Sequence, residues 1–358
     1  MKTSELKRGW TTGACATAAT KAAYAALLGN EFPDPVSIVL PKGETPAFPL
    51  ALEERGDGWA RAGIVKDAGD DPDVTHGALI VVTVRRGAAG SGVTFRAGPG
   101  VGTVTRAGLP IAPGEPAINP VPRRMISEVI AELAAAHGEA GDVEVEISVP
   151  DGEALARKTW NPRLGIVGGL SILGTTGIVH PFSCSAWIAS IHQGIDVARA
   201  GGLAHVAGAT GSTSEAAVKA LYGLPDEALL DMGDFVGGML KYLRAHPVPR
   251  VTVAGGFGKL TKMAQGAMDL HSGRSQVDFE WLAARMRDLT GDGELDAQVR
   301  RANTAAEVEA LARGRGVDLA GEVARLAREA GVRVLRGAKV ALDVVVVSRD
   351  GEVIGRAG

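Results

Sequence analysis

The chain has 358 residues, 46% of them hydrophobic, which is enough apolar material to bury the cores of about two domains. Its 41 acidic and 38 basic residues give a net charge of −3, and aromatic residues make up only 4%. This composition disfavours nucleic-acid binding, which needs a basic surface or stacking aromatic rings, and it offers no polybasic signal for a membrane surface.

The cysteine content and the N-terminal pattern both favour a cytoplasmic protein. Cys15 and Cys184 stand far apart in unrelated contexts, and two cysteines are too few for a disulfide framework or a zinc knuckle. The alanine-rich run after Thr11 is interrupted by threonines, Lys21 and Tyr24, so it is neither a secretory leader nor a membrane span. We therefore expect no nucleic-acid partner and no membrane partner.

The first part of the chain, residues 1–155, is predicted to form an α+β domain with a mixed or antiparallel sheet. Alanine-rich and amphipathic patterns predict helices at residues 11–28 and 121–137. Short apolar runs between turns rich in Gly, Pro and Asp predict strands at residues 36–40, 49–53, 59–65, 78–85, 93–97 and 143–149.

The second part, residues 156–358, is predicted to form an α/β domain. Apolar runs at 203–207 and 250–254 each precede a helical pattern, at 212–222 and 257–266, and such alternation indicates a parallel sheet. Ser212 and Glu215 have the spacing of a capping box. Three charged helical stretches follow, and a β-hairpin closes the chain; these elements are expected at 279–289, 295–313, 318–330, 340–347 and 353–354.

An acidic loop at residues 66–77 is the first candidate site. It crowds four aspartates and a histidine: Asp67, Asp70, Asp71, Asp73 and His76. Mutual repulsion should raise some of their pKa values, which is common among functional carboxylates. We take Asp70, Asp71 and His76 as catalytic candidates. The spacing does not fit an EF-hand, and we predict no metal ligand; an acidic, solvated turn is the plain alternative.

A second candidate site is the proline-stiffened segment 114–124. It holds Asn119 ahead of Arg123 and Arg124 at the start of a predicted helix. The helix dipole does not explain arginines at that end, whereas guanidinium groups bind carboxylates in a bidentate manner. These three residues are therefore candidate substrate ligands, unless the arginines only form surface ion pairs.

A third candidate is the stretch 160–179, which has five glycines in fifteen apolar residues after Arg163. Glycine costs roughly 0.5–1 kcal/mol against alanine inside a helix or strand, so either a ligand approaches the backbone here or the segment packs tightly. We assign Arg163 to the substrate. The candidate cofactor ligands of this stretch are Gly168, Gly169, Thr175 and Thr176.

Two strand–loop–helix junctions, at residues 207–215 and 254–259, form the fourth candidate. In open α/β sheets, ligands bind beyond the carboxyl ends of the strands, and exposed amides at helix starts favour anions such as an amino-acid carboxylate. The candidate cofactor ligands here are Thr210, Gly211, Ser212, Glu215, Gly255 and Gly256. Neither loop is specific enough to name a ligand.

Read together, several segments resemble the cobalt-precorrin-5B C(1)-methyltransferase family. The resemblance runs in the same order from the N-terminus to about residue 275, and it covers residues 9–16, 66–77, 114–124, 160–179, 232–237 and 255–271. The first of these segments adds Thr11 and Thr12 to the candidate substrate ligands. No catalytic residue is carried over from the family, so all of these assignments depend on this sequence alone.

The resemblance implies an enzyme that transfers a methyl group from S-adenosylmethionine to C-1 of cobalt-precorrin-5B, giving cobalt-precorrin-6A in anaerobic cobalamin biosynthesis. It also implies two different domains, an N-terminal α+β domain and a C-terminal Rossmann-like α/β domain. The expected partner is a cobalt-corrinoid substrate. A homo-oligomer and transient contact with other enzymes of the pathway stay open.

Two other functions also remain open at this stage. A metal-dependent hydrolase would have its centre in the Asp67–His76 loop. A non-catalytic corrinoid-binding protein would hold the pigment without consuming a methyl donor.

Overall fold

A computed structural model of the chain describes residues 6–358. Its internal contacts divide the chain into two compact units, Met1–Cys184 and Ser185–Gly358. The predicted boundary at 155/156 therefore falls inside the first unit. The reason is that the strands between residues 160 and 184 pair with strands from the first 105 residues rather than with the second unit.

The first unit contains short and long elements in mixed order. Its helices are α1 (Thr12–Leu27), α2 (Pro120–His137) and α3 (Gly152–Ala156). Its strands are β1 (Gly9–Trp10), β2 (Val36–Ser37), β3 (Ala47–Phe48), β4 (Leu52–Gly56), β5 (Trp59–Val65), β6 (Leu79–Arg86), β7 (Val93–Ala97), β8 (Gly100–Val101), β9 (Thr103–Val104), β10 (Val143–Ser148), β11 (Ile166–Val167), β12 (Gly169–Leu170) and β13 (Ile178–Val179).

The main sheet of this unit is mixed, as the sequence predicts. Its order is β4-β5-β6-β10-β7; β10 runs antiparallel to β6 and parallel to β7. Helix α1 packs on β5 and β6 and against α2. Its alanines, among them Ala14, Ala18 and Ala22, are wholly buried, and their small side chains let the helix lie close to both neighbours.

The remaining strands of the unit tie the segment after residue 160 to the N-terminal part. β11 pairs with β9, β12 with β8, and β13 with β1. Each of these pairs is two residues long, too short for an alternating apolar pattern to indicate it.

The second unit alternates strands and helices. Its helices are α4 (Cys184–Ala200), α5 (Ser212–Tyr222), α6 (Val236–Ala245), α7 (Phe257–Ala264), α8 (Phe279–Thr290), α9 (Gly293–Arg300), α10 (Ala305–Gly314) and α11 (Leu319–Leu335). Its strands are β14 (His205–Ala209), β15 (Leu229–Leu230), β16 (Arg250–Gly256), β17 (Ala341–Val347) and β18 (Val353–Ala357).

These strands form one sheet in the order β15-β14-β16-β17-β18. The first four strands are parallel, and β18 pairs antiparallel with β17 as the predicted closing hairpin. Helix α5 covers one face, where Ala207, Ala254 and Val345 pack against Val218. Helices α4, α6, α7 and α11 share the core on the opposite face.

One predicted helix of this unit divides into two. The stretch 295–313 contains the end of α9 and most of α10, because Thr304 caps a new helix by accepting a hydrogen bond of 3.2 Å from the amide of Glu307. Within residues 6–358, no helix combines the length and the apolar character that crossing a bilayer requires.

Candidate functional site

The candidate site, which we call the crevice, lies at the carboxyl ends of two adjacent parallel strands of the second unit. β14 and β16 run side by side with Ala209 opposite Ala254. After β14 the chain enters α5 on one face of the sheet, and after β16 it enters α7 on the other face. Because the chain diverges to opposite faces here, this is the switch point at which doubly wound sheets bind their ligands.

The loop after β14 forms one wall of the crevice. The amide of Thr210 donates a hydrogen bond of 2.9 Å to the carbonyl of Ala254, and Gly211 and Ser212 are exposed. Gly211 is the N-cap of α5, and no side chain caps it. Ser212 is therefore the first helical residue, so the predicted capping box does not form. The first amides of α5 consequently have no side-chain acceptor from the cap position.

The loop after β16 forms the facing wall. A Cβ on Gly255 would lie only 2.8 Å from Cγ2 of Thr210, so glycine at this position lets the two loops touch. Gly256 caps α7 with extended backbone and without a side-chain hydrogen bond. A Cβ on Gly256 would meet no atom of residues 6–358 within 4 Å, so a ligand can approach the backbone there.

A third loop, between β15 and α6, borders the same edge, and sequence reasoning missed it as a site. The amide of Gly233 donates to the carbonyl of Ala209 over 3.0 Å. The next residue, Asp234, forms an ion pair of 2.6 Å with Lys259 in the first turn of α7. β15 is only two residues long, so its apolar run is too short to predict a strand before this loop.

The remaining predicted cofactor ligand of the second unit, Glu215, is half-buried in the first turn of α5.

The other predicted cofactor ligands lie in the first unit, and one of their two glycines, Gly169, has a packing role, as does the neighbouring Gly174. A Cβ on Gly169 would lie 2.2 Å from the backbone of Gly100, and a Cβ on Gly174 would lie 2.3 Å from Oγ1 of Thr11. Gly168 is exposed with φ +89°. The tight-packing explanation of this glycine run therefore accounts for Gly169, and the structure does not gather the predicted cofactor ligands in one unit.

The threonines of this region differ in availability. Thr175 is exposed. The hydroxyl of Thr176 is within 3.3 Å of both the amide and the carbonyl of Ile178, so it stabilises its own turn.

Thr11 and Thr12 stabilise the start of α1. Oγ1 of Thr11 accepts a hydrogen bond of 3.1 Å from the amide of Ala14, which makes it the N-cap. Oγ1 of Thr12 accepts from the amide of Leu173 at 3.0 Å and lies 3.2 Å from its carbonyl. Both threonines are buried. Their hydroxyls already have protein partners, so the geometry does not favour their predicted role as substrate ligands.

The two arginines at the start of α2 have different surroundings. Nε of Arg123 donates to the carbonyl of Ile118 at 2.8 Å, and its Nη atoms lie 3.0 Å from the carbonyl of Pro116 and 3.2 Å from Glu115. Its guanidinium is thus engaged by its own loop. Arg124 is exposed and forms an ion pair of 3.7 Å with Glu128. The two arginines predicted as substrate ligands are therefore not equivalent: Arg123 is held by its own loop, whereas Arg124 faces solvent.

Asn119 and Arg163 complete the predicted substrate ligands. Asn119 is the N-cap of α2, yet its side chain makes no cap hydrogen bond, and the residue is half-buried. The guanidinium of Arg163 lies over the ring of Trp160, 4.7 Å from its centroid. This stacking fixes the orientation of Arg163.

In the acidic loop, carboxylates bind neighbouring segments. Asp70 accepts a hydrogen bond of 2.6 Å from the amide of Lys7, and Asp71 accepts one of 2.8 Å from the amide of Phe182. His76 is exposed. Its Nδ1 accepts from the amide of Ala68 at 3.1 Å, so the neutral ring carries its proton on Nε2.

The predicted rise in pKa is wrong for two aspartates of this loop. The Lys7 ammonium and the amide of Gly69 lower the pKa of Asp67. Burial by itself would raise the pKa of Asp73, but the nearly fully buried ammonium of Lys66, at 2.6 Å, and the hydrogen bonds from Thr75 outweigh it and lower that pKa. Nearby cations, rather than carboxylate repulsion, dominate here. No group of three or more potential ligands for a metal ion occurs within the described part of the chain.

The fold defines a two-unit α/β protein whose second unit has the strand order of a doubly wound sheet, with a candidate ligand site at its switch point. Comparison with known protein families assigns residues 1–181 to the family described as CbiD and residues 269–358 to the CbiD C-terminal domain. The first match ends close to the boundary between the two units.

Relatives of similar length match nearly the whole chain. A protein of Paramagnetospirillum magneticum named cobalt-precorrin-5B C(1)-methyltransferase is 66% identical over 98% of this chain and 98% of its own length. A Brucella anthropi protein of the same name is 63% identical over 99% of this chain and 96% of its own. A crystal structure of the cobalamin biosynthesis protein CbiD from Archaeoglobus fulgidus is 25% identical over 87% of this chain and 85% of that chain, with a TM-score of 0.39.

The chain therefore belongs to the CbiD family, and the family resemblance predicted from its sequence is confirmed.

Proposed function

We propose that this chain is a cobalt-precorrin-5B C(1)-methyltransferase, which converts cobalt-precorrin-5B to cobalt-precorrin-6A with S-adenosylmethionine as the methyl donor. The observation that carries the proposal is the identity of 62–66% over nearly the full chain with relatives of that name. At this similarity the enzyme class and the reaction predicted from the sequence are borne out by those relatives.

The crevice of the second unit is our proposed site for the methyl donor. The strand order supports this proposal, because doubly wound sheets bind their ligands at the switch point, and we take this sheet to be Rossmann-like. Gly211 and Gly256 leave open backbone at two helix starts, which suits the α-carboxylate of the donor. Asp234 and Lys259 offer opposite charges for its ammonium and carboxylate. The residues present therefore fit such a ligand.

For the corrinoid we propose contacts from the first unit. Its peripheral acetate and propionate groups need cations and hydrogen-bond donors, and Arg124, Asn119 and Arg163 offer them. Arg124 is free to bind a carboxylate bidentately at little cost. Arg123 would first have to release Glu115 and the carbonyls of Pro116 and Ile118. Arg123 positions the loop before it instead.

The reaction needs little acid–base chemistry. When bound, S-adenosylmethionine supplies an electrophilic methyl group on a sulfonium sulfur; a carbon–carbon bond forms at C-1 as the carbon–sulfur bond breaks. The contribution of the protein is mainly positioning, which can supply about 7–11 kcal/mol of the barrier. Asp70 and Asp71 each use one carboxylate oxygen for a backbone amide, so each keeps a second oxygen that can accept a released proton. His76 acts as a hydrogen-bond donor through Nε2.

The decisive experiment is an anaerobic incubation of the purified chain with cobalt-precorrin-5B and S-adenosylmethionine labelled in its methyl group. Mass spectrometry should show a corrinoid that carries the labelled methyl, and S-adenosylhomocysteine should appear in equal amount. Added S-adenosylhomocysteine should inhibit the transfer. A chain that binds the corrinoid but leaves the label on the donor would instead be a non-catalytic corrinoid-binding protein.

The acidic loop gives no support to the alternative of a metal-dependent hydrolase, because its aspartates bind protein amides and lysines. The expected cytoplasmic location stays a prediction from the sequence, which leaves the oligomeric state and contacts with other enzymes of the pathway open.

A further inference from the structure

An exposed tryptophan, Trp187, stands at the same edge of the second unit as the crevice. Helix α4 runs back along the sheet into β14, so its first turn lies near the carboxyl ends of the strands. Trp187 is in that first turn and is 45% exposed. An indole is a large apolar surface to leave in water, and such surfaces commonly mark binding sites.

The ring of Trp187 is held in place rather than loose. Its Nε1 donates a hydrogen bond of 2.8 Å to the carbonyl of Asp231. A Cβ on Gly233 would lie 3.2 Å from the indole, so the ring rests on that glycine. The centroid of the Phe235 ring lies 6.1 Å from that of Trp187, with the two rings tilted by 57°. A fixed ring loses little entropy when a ligand stacks on it.

The contacts of Gly233 connect this ring to the crevice. The same glycine whose Cα supports the indole donates its amide to Ala209, the last residue of β14. One residue therefore separates Trp187 from the strand end where the loop with Thr210 and Gly211 begins. The positive φ of Gly233, +53°, bends the chain between these two contacts.

We propose that Trp187 is the stacking platform for the adenine ring of the methyl donor. This inference rests on the proposed function, because it needs the donor in the crevice. Adenine has a flat π-face that stacks well on aromatic side chains. The ion pair between Asp234, in the loop before α6, and Lys259, in the first turn of α7, suits the amino-acid end of the donor. The indole then receives the opposite, aromatic end.

The test is calorimetric binding of S-adenosylhomocysteine to the full chain and to Trp187→Ala and Trp187→Phe. Stacking on an aromatic ring is worth enough that Trp187→Ala should weaken binding by about tenfold or more. Trp187→Phe keeps a stacking face and should stay within about threefold of the parent protein. Trp281→Phe, a change to another tryptophan of the second unit, is the matched control and should bind as the parent does.

Two further measurements separate the outcomes. Far-UV circular dichroism and thermal unfolding check that Trp187→Ala is folded. If Trp187→Ala is not folded, Trp187→Phe carries the test, and a loss of affinity well beyond threefold in that variant contradicts the inference. Binding of hydroxocobalamin should be unchanged by Trp187→Ala; a loss confined to this corrinoid would mean that the ring stacks on the tetrapyrrole, which overturns the inference. Equal S-adenosylhomocysteine affinity in all variants overturns it too, while the proposed function stands. If the parent protein binds no S-adenosylhomocysteine, the proposed donor site fails first.

Discussion

The amide of Thr210 and the carbonyl of Ala254 are joined by a hydrogen bond of 2.9 Å. This bond extends the pairing of β14 with β16 by one residue beyond the strand end, and so it fixes the distance between the two loops of the crevice. The missing Cβ of Gly255, which would lie 2.8 Å from Cγ2 of Thr210, is what permits the approach. The shape of the proposed donor site depends on this contact.

Gly255→Ala should therefore damage the donor site. The added methyl must push Thr210 away, at a cost of about 1–3 kcal/mol, and we expect affinity for S-adenosylhomocysteine to fall roughly tenfold. Isothermal titration calorimetry measures this. Gly293→Ala is the control, since a Cβ there meets no described atom within 4 Å. Full affinity in Gly255→Ala would show that the ligand does not sense the spacing of these loops.

The two arginines of α2 should behave differently. Arg124→Ala should weaken corrinoid binding roughly tenfold through loss of a charge-assisted hydrogen bond, with little change in stability because Arg124 is exposed. Arg123→Ala should lower the free energy of unfolding by about 1–3 kcal/mol, since it frees the carbonyls of Ile118 and Pro116. Fluorescence titration with hydroxocobalamin and urea unfolding give the two readouts. If Arg123→Ala lost corrinoid affinity at unchanged stability, and Arg124→Ala lost stability at unchanged affinity, this division of roles would be refuted.

The buried pair of Lys66 and Asp73 gives a prediction about stability. Lys66 is 1% exposed and its Nζ lies 2.6 Å from Asp73. Asp73→Asn leaves a buried ammonium without a counter-charge, so the free energy of unfolding should fall by about 3 kcal/mol. Lys66→Met removes the buried charge itself and should cost less. Urea unfolding at pH 7 compares the two variants; a larger loss in Lys66→Met would contradict the argument.

Acid should also destabilise the first unit through Asp67 and Asp73. The pKa of each is lowered from its ordinary 3.8. A carboxyl with a lowered pKa in the folded state stabilises the fold above its unfolded pKa, and this contribution is lost as the pH falls through the folded value. We therefore expect the midpoint of urea unfolding to decline below about pH 4. This decline should be smaller in the double variant Asp67→Asn/Asp73→Asn. A slope that stays the same in the double variant would mean that other acids control it.

Two histidines of the second unit should make the stability of the fold depend on pH near neutrality. Burial lowers the pKa of His192 and His205 from the ordinary 6.5, and His192 stacks on Tyr242 at a centroid distance of 3.9 Å. Because the unfolded chain binds protons more readily, stability present above pH 6.5 should fall as the pH is lowered from 7 to 5. His192→Gln with His205→Gln should flatten this slope in urea unfolding, whereas the exposed His180→Gln should leave it unchanged.

Strong local patterns allowed much of the fold to be predicted. Strands β5 and β7 and helix α5 have the predicted bounds, because alternation or a helical period runs through all of their residues. Two-residue strands such as β11, β12 and β13 give no such period. For that reason the sequence pattern places residues 156–184 in the second domain, although their strands pair within the first unit.

The sequence by itself determined the family, the alanine-rich helix near the N-terminus, and the glycine loops that follow β14 and β16, since each is encoded by neighbouring residues. Only the tertiary structure decided which glycines serve packing and which border open space, as Gly169 and Gly256 illustrate. It likewise separated Arg123 from Arg124 and brought Asp234 to Lys259. The physical reason is that such contacts join residues far apart in the chain, and their partners are set by strand register and helix packing rather than by local preference.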